Sequence, residues 1–308
     1  MRLAIVAAGA VGGYLAAHLI RAGVHDIALI ARGANLKAIR DNGLTLTTGD
    51  TSFTVPVAHV TDDPATIGPV DAVVFAVKQT DTASAAEICR PLLARDTCVV
   101  PFQNGVESAE RIESILGKRH ACAGCCYVSV TIDKPGVIRQ AGQFGRFLFA
   151  EADGSQSRRT EALRVALVDA GVEAPVPKDI DVELWTKFSF LVALSGLTAA
   201  GRSTIGEIRN DPVTSLVYRR AIEEAVSVAR ARGVQLPIDI VERHLDFTKT
   251  LPAEMRASQA FDLEAGKPLE VEWLSGAVSR LGAVAGVETP VNSTLYAVLK
   301  PFAKGRRN

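Results

Sequence analysis

Two stretches of this 308-residue chain combine residue types and spacings that could do chemistry. The first is Ala7-Ala8-Gly9-Ala10-Val11-Gly12, a G-x-G-x-x-G pattern whose first glycine is replaced by alanine. It stands between a short apolar run and an amphipathic stretch, where a strand would turn into a helix. There Gly9 would let backbone amides approach a pyrophosphate. Gly12 would let the helix sit close to the sheet, and the helix start at Ala10 and Val11 would present a favourable partial charge. That chemistry would be dinucleotide binding, although small residues also occur wherever a helix packs tightly on a strand. The next strand ends in Leu29-Ile30-Ala31-Arg32-Gly33, with no Asp or Glu to take a ribose 2′-hydroxyl. Arg32 could pair with a 2′-phosphate through its planar guanidinium, which favours NADPH over NADH, or it could be a solvated loop arginine.

The second stretch runs from Val182 to Ser195. Lys187, Leu191, Ser195 and Thr198 share one face at helical spacing in an otherwise strongly apolar segment. Two readings of the lysine stay open. It could form an exposed i,i+4 pair with Glu183, or it could be held against an apolar wall, where desolvation makes it a usable general acid.

Lys78 and Asn104 follow strand-like runs, and ligands on doubly wound sheets sit outside the carboxyl ends of the strands, so their location places both toward a site, where otherwise a solvent-facing lysine and a plain Asn-Gly turn would explain them. Cys122-x-x-Cys125-Cys126 beside His120 has no second pair elsewhere and strand-like flanks, so buried thiols are expected there and no metal site. His18, His25, His59 and His244 are scattered without ligand spacing or a partnering nucleophile.

Positioning these groups requires a scaffold, and its pattern changes midway. Up to about Pro101, the strand-like runs Leu3 to Val6, Ile27 to Ile30, Ala72 to Val77 and Thr97 to Val100 alternate with helical stretches. The helical stretches are Val11 to Ala22, Leu36 to Asn42, Thr82 to Leu93 and Val106 to Leu116. Alternation of this kind predicts a parallel, doubly wound α/β sheet of Rossmann type. Leu44 to Thr47 and Phe53 to Val57 suggest an inserted hairpin, and Ala121 to Val130, Gly136 to Gln140 and Arg146 to Phe149 continue the strand character. A helix at Arg158 to Ala170 leads to Ala174-Pro175-Val176-Pro177-Lys178, which predicts a boundary between domains 1–177 and 178–308. The second domain is expected to be all-α and to carry substrate, catalytic and dimer contacts. Its helical stretches are Ile180 to Ala200, Pro212 to Arg232, Ile238 to Phe247 and Val271 to Gly282.

Composition narrows the partners. Thirty-four Lys plus Arg balance thirty-four Asp plus Glu, so no long-range field draws the chain to nucleic acid or acidic membranes, and a small molecule is the expected ligand. No apolar run escapes interruption by Lys187, Arg202 or Asp71, so no membrane span is expected. An odd count of five cysteines, with a start that reads as a strand and not a secretion signal, predicts reduced thiols in a cytoplasm. The basic tail Lys304-Gly305-Arg306-Arg307 is too short to imply a partner.

Several motifs together resemble the ketopantoate reductase (2-dehydropantoate 2-reductase) family over both domains. They are Gly9 to Gly12, Ile30 to Gly33, Gln103-Asn104-Gly105, Glu183 to Lys187, Ser258 to Asp262 with Gly266 and Glu270, and Thr289-Pro290-Val291-Asn292. The resemblance implies NADPH-dependent reduction of a 2-oxo acid to a 2-hydroxy acid, ketopantoate to pantoate, in pantothenate biosynthesis. It implies that Lys187 protonates or polarises the carbonyl oxygen, that Glu270 bonds to substrate and lysine, that Ser258 holds substrate, that Asn104 orients the reacting groups and that Lys78 lines the cofactor side. Separately, a helical second domain with Trp273 and many Val and Leu could supply the face of a homodimer. The chain departs from the family pattern at Leu191 and Ser195, where asparagines are common, and at Phe261, where glutamine is. Those departures suggest a more apolar substrate. A related D-2-hydroxyacid dehydrogenase for branched or aromatic 2-oxo acids, and an NADPH sensor without catalysis, are the alternatives.

Overall fold

Leu3–Val6 forms β1, and its side chains divide between two cores: Leu3 and Ile5 pack on one face of the sheet, Ala4 and Val6 on the other. A strand buried on both faces needs helices above and below it, and the chain supplies them. In the computed structural model, which describes residues 1–24 and 26–306, β1 is followed by α1 (Ala10–Arg21), β2 (Ile27–Ile30), α2 (Gly33–Asn42), β3 (Leu44–Thr48), β4 (Thr51–Val55) and β5 (His59–Thr61). Then come β6 (Val70–Phe75), α3 (Thr82–Ile88), β7 (Leu93–Pro101), α4 (Ser108–Leu116), β8 (Cys122–Lys134), β9 (Val137–Glu151) and α5 (Arg158–Asp169). His25 and Arg307 lie outside the described residues.

Five strands form a parallel sheet in the order β5-β2-β1-β6-β7. From β1 the chain builds outward through β2 to β5, then returns to build the other way through β6 and β7. The crevice outside the carboxyl end of β1 is therefore the topological switch point, where α/β sheets of this kind bind ligands. A second, four-stranded sheet has the order β4-β3-β9-β8. Its β3–β4 hairpin turns at Gly49, as the sequence suggests, but β3 also pairs in parallel with β9, a partner far away in the chain. The two strand pieces expected at Gly136 to Gln140 and Arg146 to Phe149 are one strand, β9.

Helices are shorter than periodicity predicts in two places. Pro91 follows the end of α3, so the chain from Arg90 to Leu92 is a tighter single turn and not a continuation of the helix. Val271–Trp273 is likewise a separate turn, and Leu274 leaves helical geometry (φ −109°, ψ −105°) before the next helix begins at Ser275.

The chain divides into two compact units, Met1–Gln103 with Glu107–Ile180, and Asn104–Val106 with the chain from Asp181 onward. The second unit consists, among the described residues, of helices: α6 (Ile180–Ala200), α7 (Ile205–Asn210), α8 (Pro212–Ala231), α9 (Ile240–Thr250), α10 (Ser258–Glu264), α11 (Ser275–Ala285) and α12 (Pro290–Leu299). Apolar residues from most sides of α6, among them Trp185, Phe188, Val192 and Leu194, enter its core, which is why that helix lacks a clean polar face. No described helix is long and apolar enough to cross a membrane.

His244 belongs to this core. It is buried on α9, its Nε2 lies 3.0 Å from Ser189 Oγ on α6, and burial pushes its pKa down to about 4. A histidine of ordinary pKa near 6.5 in the unfolded chain therefore takes up protons on unfolding as pH falls. Stability is unaffected above that value and is lost progressively as pH falls from it toward about 4, by about 3 kcal/mol at most. We expect the drop in urea midpoint between neutral pH and about pH 4.5 to shrink in His244→Gln, and an unchanged drop would show that other groups cause it.

Candidate functional site

At the switch point the fingerprint takes a definite shape. Ala7 adopts φ +68°, the left-handed conformation that glycine accepts freely and alanine adopts at a cost of about 1–2 kcal/mol. The alanine replaces a glycine in sequence yet keeps the glycine's geometry. The Ala8 amide donates to Ile30 O at 3.0 Å, which fastens the loop to the end of β2. Gly9 caps α1, and a Cβ built on it would meet nothing within 4 Å, so its surface is an open cradle. Gly12 is the opposite case: a Cβ there would lie 2.2 Å from Ala7 O and 3.0 Å from Ile5 Cγ2. No acidic residue occupies the first turn of α1, so nothing there offsets the positive end of the helix dipole at Ala10 and Val11.

Ala7, Ala8 and Gly9 line a pocket of about 180 Å³ together with Ile30 at the end of β2, Ala31 and Arg32 after it, Asn35 on α2, and Val77, Ala85 and Ile88. Its volume is below the ~300–1,000 Å³ of whole ligand pockets, a size for one end of a dinucleotide. Apolar walls, an open glycine and a cation at the rim fit a nucleotide whose phosphate meets the helix start. Arg32 is the N-cap residue of α2, largely exposed, with Nη2 4.0 Å from Asp81 Oδ2. Lys78 is exposed just after Val77, and it is Val77 that lines this pocket.

The loops after β6 and β7 are held by a buried polar network that the sequence reading did not identify. Gln79 Nε2 donates to Ser108 Oγ at 2.7 Å, and Gln103 Nε2 donates to Thr82 Oγ1 at 2.8 Å. Arg111 Nη1 donates to Gln79 Oε1 at 2.6 Å and to Gln79 O at 3.2 Å. The signal was present in glutamines standing directly after Lys78 and directly before Asn104, where buried strands end.

In the second unit, one helix carries Lys187, Leu191, Ser195 and Thr198, as the spacing predicts. Lys187 is half-buried, and its Nζ donates to Asn104 Oδ1 at 3.0 Å. Asn104 reaches it because Gly105 adopts φ +102°, a turn closed to residues with a side chain, which sends Val106 into the core around Trp185 and Tyr218. Leu191 packs against that same core, and Ser195 is 2% exposed. Thr198 Oγ1 accepts from the Ala257 amide at 3.3 Å, so α10, with Ser258 exposed at its first position, is fastened to α6. Glu270 is buried at the start of the turn preceding α11. Phe261 is 51% exposed and lies under the Arg256 guanidinium, 4.6 Å from its centroid, so its ring is engaged by a cation and is not a wall of the core.

All five cysteines are buried and unbridged. Burial pushes the Cys89 thiol up to about 12, and a hydrogen bond with Cys98 together with burial holds Cys122 well above the ordinary range. Both therefore stay protonated and unreactive at neutral pH. Among the described residues, no cluster of three or more His, Cys, Asp and Glu is arranged to hold a metal ion.

Comparison with known proteins matches both units to one family. The sequence model described as "Ketopantoate reductase PanE/ApbA" matches residues 3–154, and its C-terminal counterpart matches residues 179–303. A 2-dehydropantoate 2-reductase of Mesorhizobium japonicum is 32% identical, with 99% of each chain covered. The crystal structure of a PanE/ApbA family ketopantoate reductase from Ralstonia eutropha is 33% identical, with a TM-score of 0.90 over 98% of each chain. That of a 2-dehydropantoate 2-reductase from Geobacter metallireducens is 28% identical, with a TM-score of 0.91, over 98% of this chain and 99% of that one.

Proposed function

The chain belongs to the ketopantoate reductase family, and from that premise we propose that it reduces ketopantoate to pantoate with NADPH as the reductant. The observation that carries this reading is the half-buried ammonium of Lys187 held by Asn104 Oδ1 at 3.0 Å. When bound, NADPH supplies the hydride. Gly9, Ala10, Val11 and Gly12 would hold its pyrophosphate, Arg32 would take the 2′-phosphate, and Lys78 would line the cofactor side. Lys187 donates a proton to the substrate's carbonyl oxygen, meeting negative charge where it develops, and Asn104 keeps Nζ aimed. Ser258 holds the oxo acid, Glu270 bonds to substrate and lysine, and Ser195 and Leu191 shape the wall beside them. As a biosynthetic enzyme with five reduced thiols, it is assigned to the cytoplasm. A homodimer joined through the second unit, where Val213, Leu216 and Val284 are exposed, completes the reading.

NADPH oxidation by the purified protein, followed with ketopantoate and with branched and aromatic 2-oxo acids side by side, tests the assignment. Preference for ketopantoate supports it. Preference for an apolar oxo acid transfers the activity to a D-2-hydroxyacid dehydrogenase, the reading that Leu191 favours. Tight NADPH binding without turnover of any substrate leaves a sensor.

Arg32 decides the cofactor. Its guanidinium is exposed and its nearest acid, Asp81, is 4.0 Å away, so it is available to a phosphate. Arg32→Ala should weaken NADPH binding about tenfold and change NADH binding less than about twofold. Equal losses for both would remove Arg32 from the 2′-phosphate.

A further inference from the structure

Asn35, in the first turn of α2, makes two hydrogen bonds to backbone groups that lie far apart in sequence. Its Nδ2 donates to Ala8 O at 2.7 Å, and its Oδ1 accepts from the Gly136 amide at 2.8 Å. The partners dictate the orientation of the amide, since a carbonyl can only accept and an N–H can only donate. One side chain therefore joins the loop between β1 and α1 to the turn between β8 and β9, at the edge of the nucleotide pocket that it also lines.

The carbonyl it holds follows Ala7, the non-glycine residue at φ +68°. Left to itself, that residue would relax to negative φ, because an L side chain is disfavoured in the left-handed region. Relaxation would swing the Ala7–Ala8 peptide and displace the backbone that leads into the Gly9 cradle. A glycine at position 7 would need no such restraint.

We infer that Asn35 is a positioning residue for dinucleotide binding, a tether that holds the Ala7-containing loop in the shape a glycine would adopt unaided. The inference rests on the dinucleotide-binding reading of that loop. It assigns Asn35 no contact with the reacting atoms, and it predicts that the need for Asn35 depends on which residue stands at position 7.

The experiment is a double-mutant cycle read as NADPH affinity by titration of the purified proteins: unmodified, Ala7→Gly, Asn35→Ala and both together. Asn35→Ala should raise Kd about tenfold in the unmodified background and less than about threefold when position 7 is glycine. At saturating NADPH, kcat should stay within about twofold in all four proteins. Asn35→Asp keeps an acceptor for the Gly136 amide but turns an oxygen toward Ala8 O, and it should bind NADPH no better than Asn35→Ala. If the unmodified protein binds neither NADPH nor NADH, the dinucleotide reading fails and the inference with it. If the unmodified protein binds but Asn35→Ala is within about twofold of it, the inference alone is overturned. The same holds if the loss is equal in both backgrounds, or if Asn35→Asp binds like the unmodified protein.

Discussion

Replacing Lys187 with alanine is expected to lower kcat for ketopantoate reduction by about three powers of ten, with NADPH affinity unchanged within about twofold. The asymmetry follows from the fold. Lys187 sits on α6 in the second unit, bonded through Nζ to Asn104 at 3.0 Å, whereas the pocket proposed for the nucleotide is built by the first unit. Removing the ammonium removes both the proton and the charge that meets the developing alkoxide. Arginine should not restore the rate: its guanidinium keeps the charge but does not release a proton near neutral pH. Asn104→Ala, which frees Nζ without removing it, should cost less, about tenfold to a hundredfold. Steady-state kinetics with a parallel NADPH titration separates the cases. A Lys187→Ala enzyme within about tenfold of normal kcat would take the acid role away from this residue.

The two fingerprint glycines are expected to fail in different ways when changed to alanine. At Gly12 the new Cβ would stand 2.2 Å from the carbonyl oxygen of Ala7 and 3.0 Å from Ile5, and the first neighbour is backbone that cannot rotate away. Overpacking of this kind costs about 1–3 kcal/mol or more, and the displaced loop should weaken NADPH binding by about a hundredfold. At Gly9 the added methyl meets nothing, and φ is an ordinary −79°, so the melting temperature should hold. Its methyl would nevertheless occupy the cradle and weaken NADPH. Thermal unfolding together with NADPH titration resolves the pair. A Gly12→Ala protein with unchanged stability would contradict the close packing of α1 on β1. A Gly9→Ala protein with unchanged affinity would put the phosphate somewhere else.

What could be read from the chain beforehand was what depends on neighbours in sequence. The run Leu3 to Val6 and the glycines after it mark a strand entering a helix, and the even spacing of Lys187, Leu191 and Ser195 marks one helix face; both patterns are local, and both are present as expected. The parallel pairing of β3 with β9 was not legible, because neither strand's pattern names a partner some ninety residues away, as in the register Thr45 with Val137. The donor-acceptor pair of Lys187 and Asn104 was equally hidden: spacing left the lysine between an exposed ion pair and an acid, and the turn at Gly105 supplies the second residue. Ala7 is a substitution in sequence and a left-handed residue in space, and only the backbone shows that it takes the conformation of the glycine it replaces. Asn35 looks like any polar residue in an exposed helical turn until the Ala8 carbonyl and the Gly136 amide are found on either side of it. Phe261 could be read only for polarity, as a sign of a more apolar substrate, and its setting, half exposed beneath the Arg256 guanidinium, depends on a neighbour that the pattern did not name.

Reduction of the ketopantoate carbonyl delivers one hydrogen from the cofactor to C2, and following that atom tests the activity without an intermediary. Purified protein is incubated with ketopantoate and NADPH deuterated at nicotinamide C4, separately on each face, and the product is read by mass spectrometry and NMR. Pantoate is expected to carry deuterium at C2 from one of the two deuterated faces and from that face alone, with incorporation slowed about a thousandfold when Lys187→Ala replaces the enzyme. NADPH left intact with ketopantoate, or oxidised without label reaching C2 from either face, would contradict the assignment.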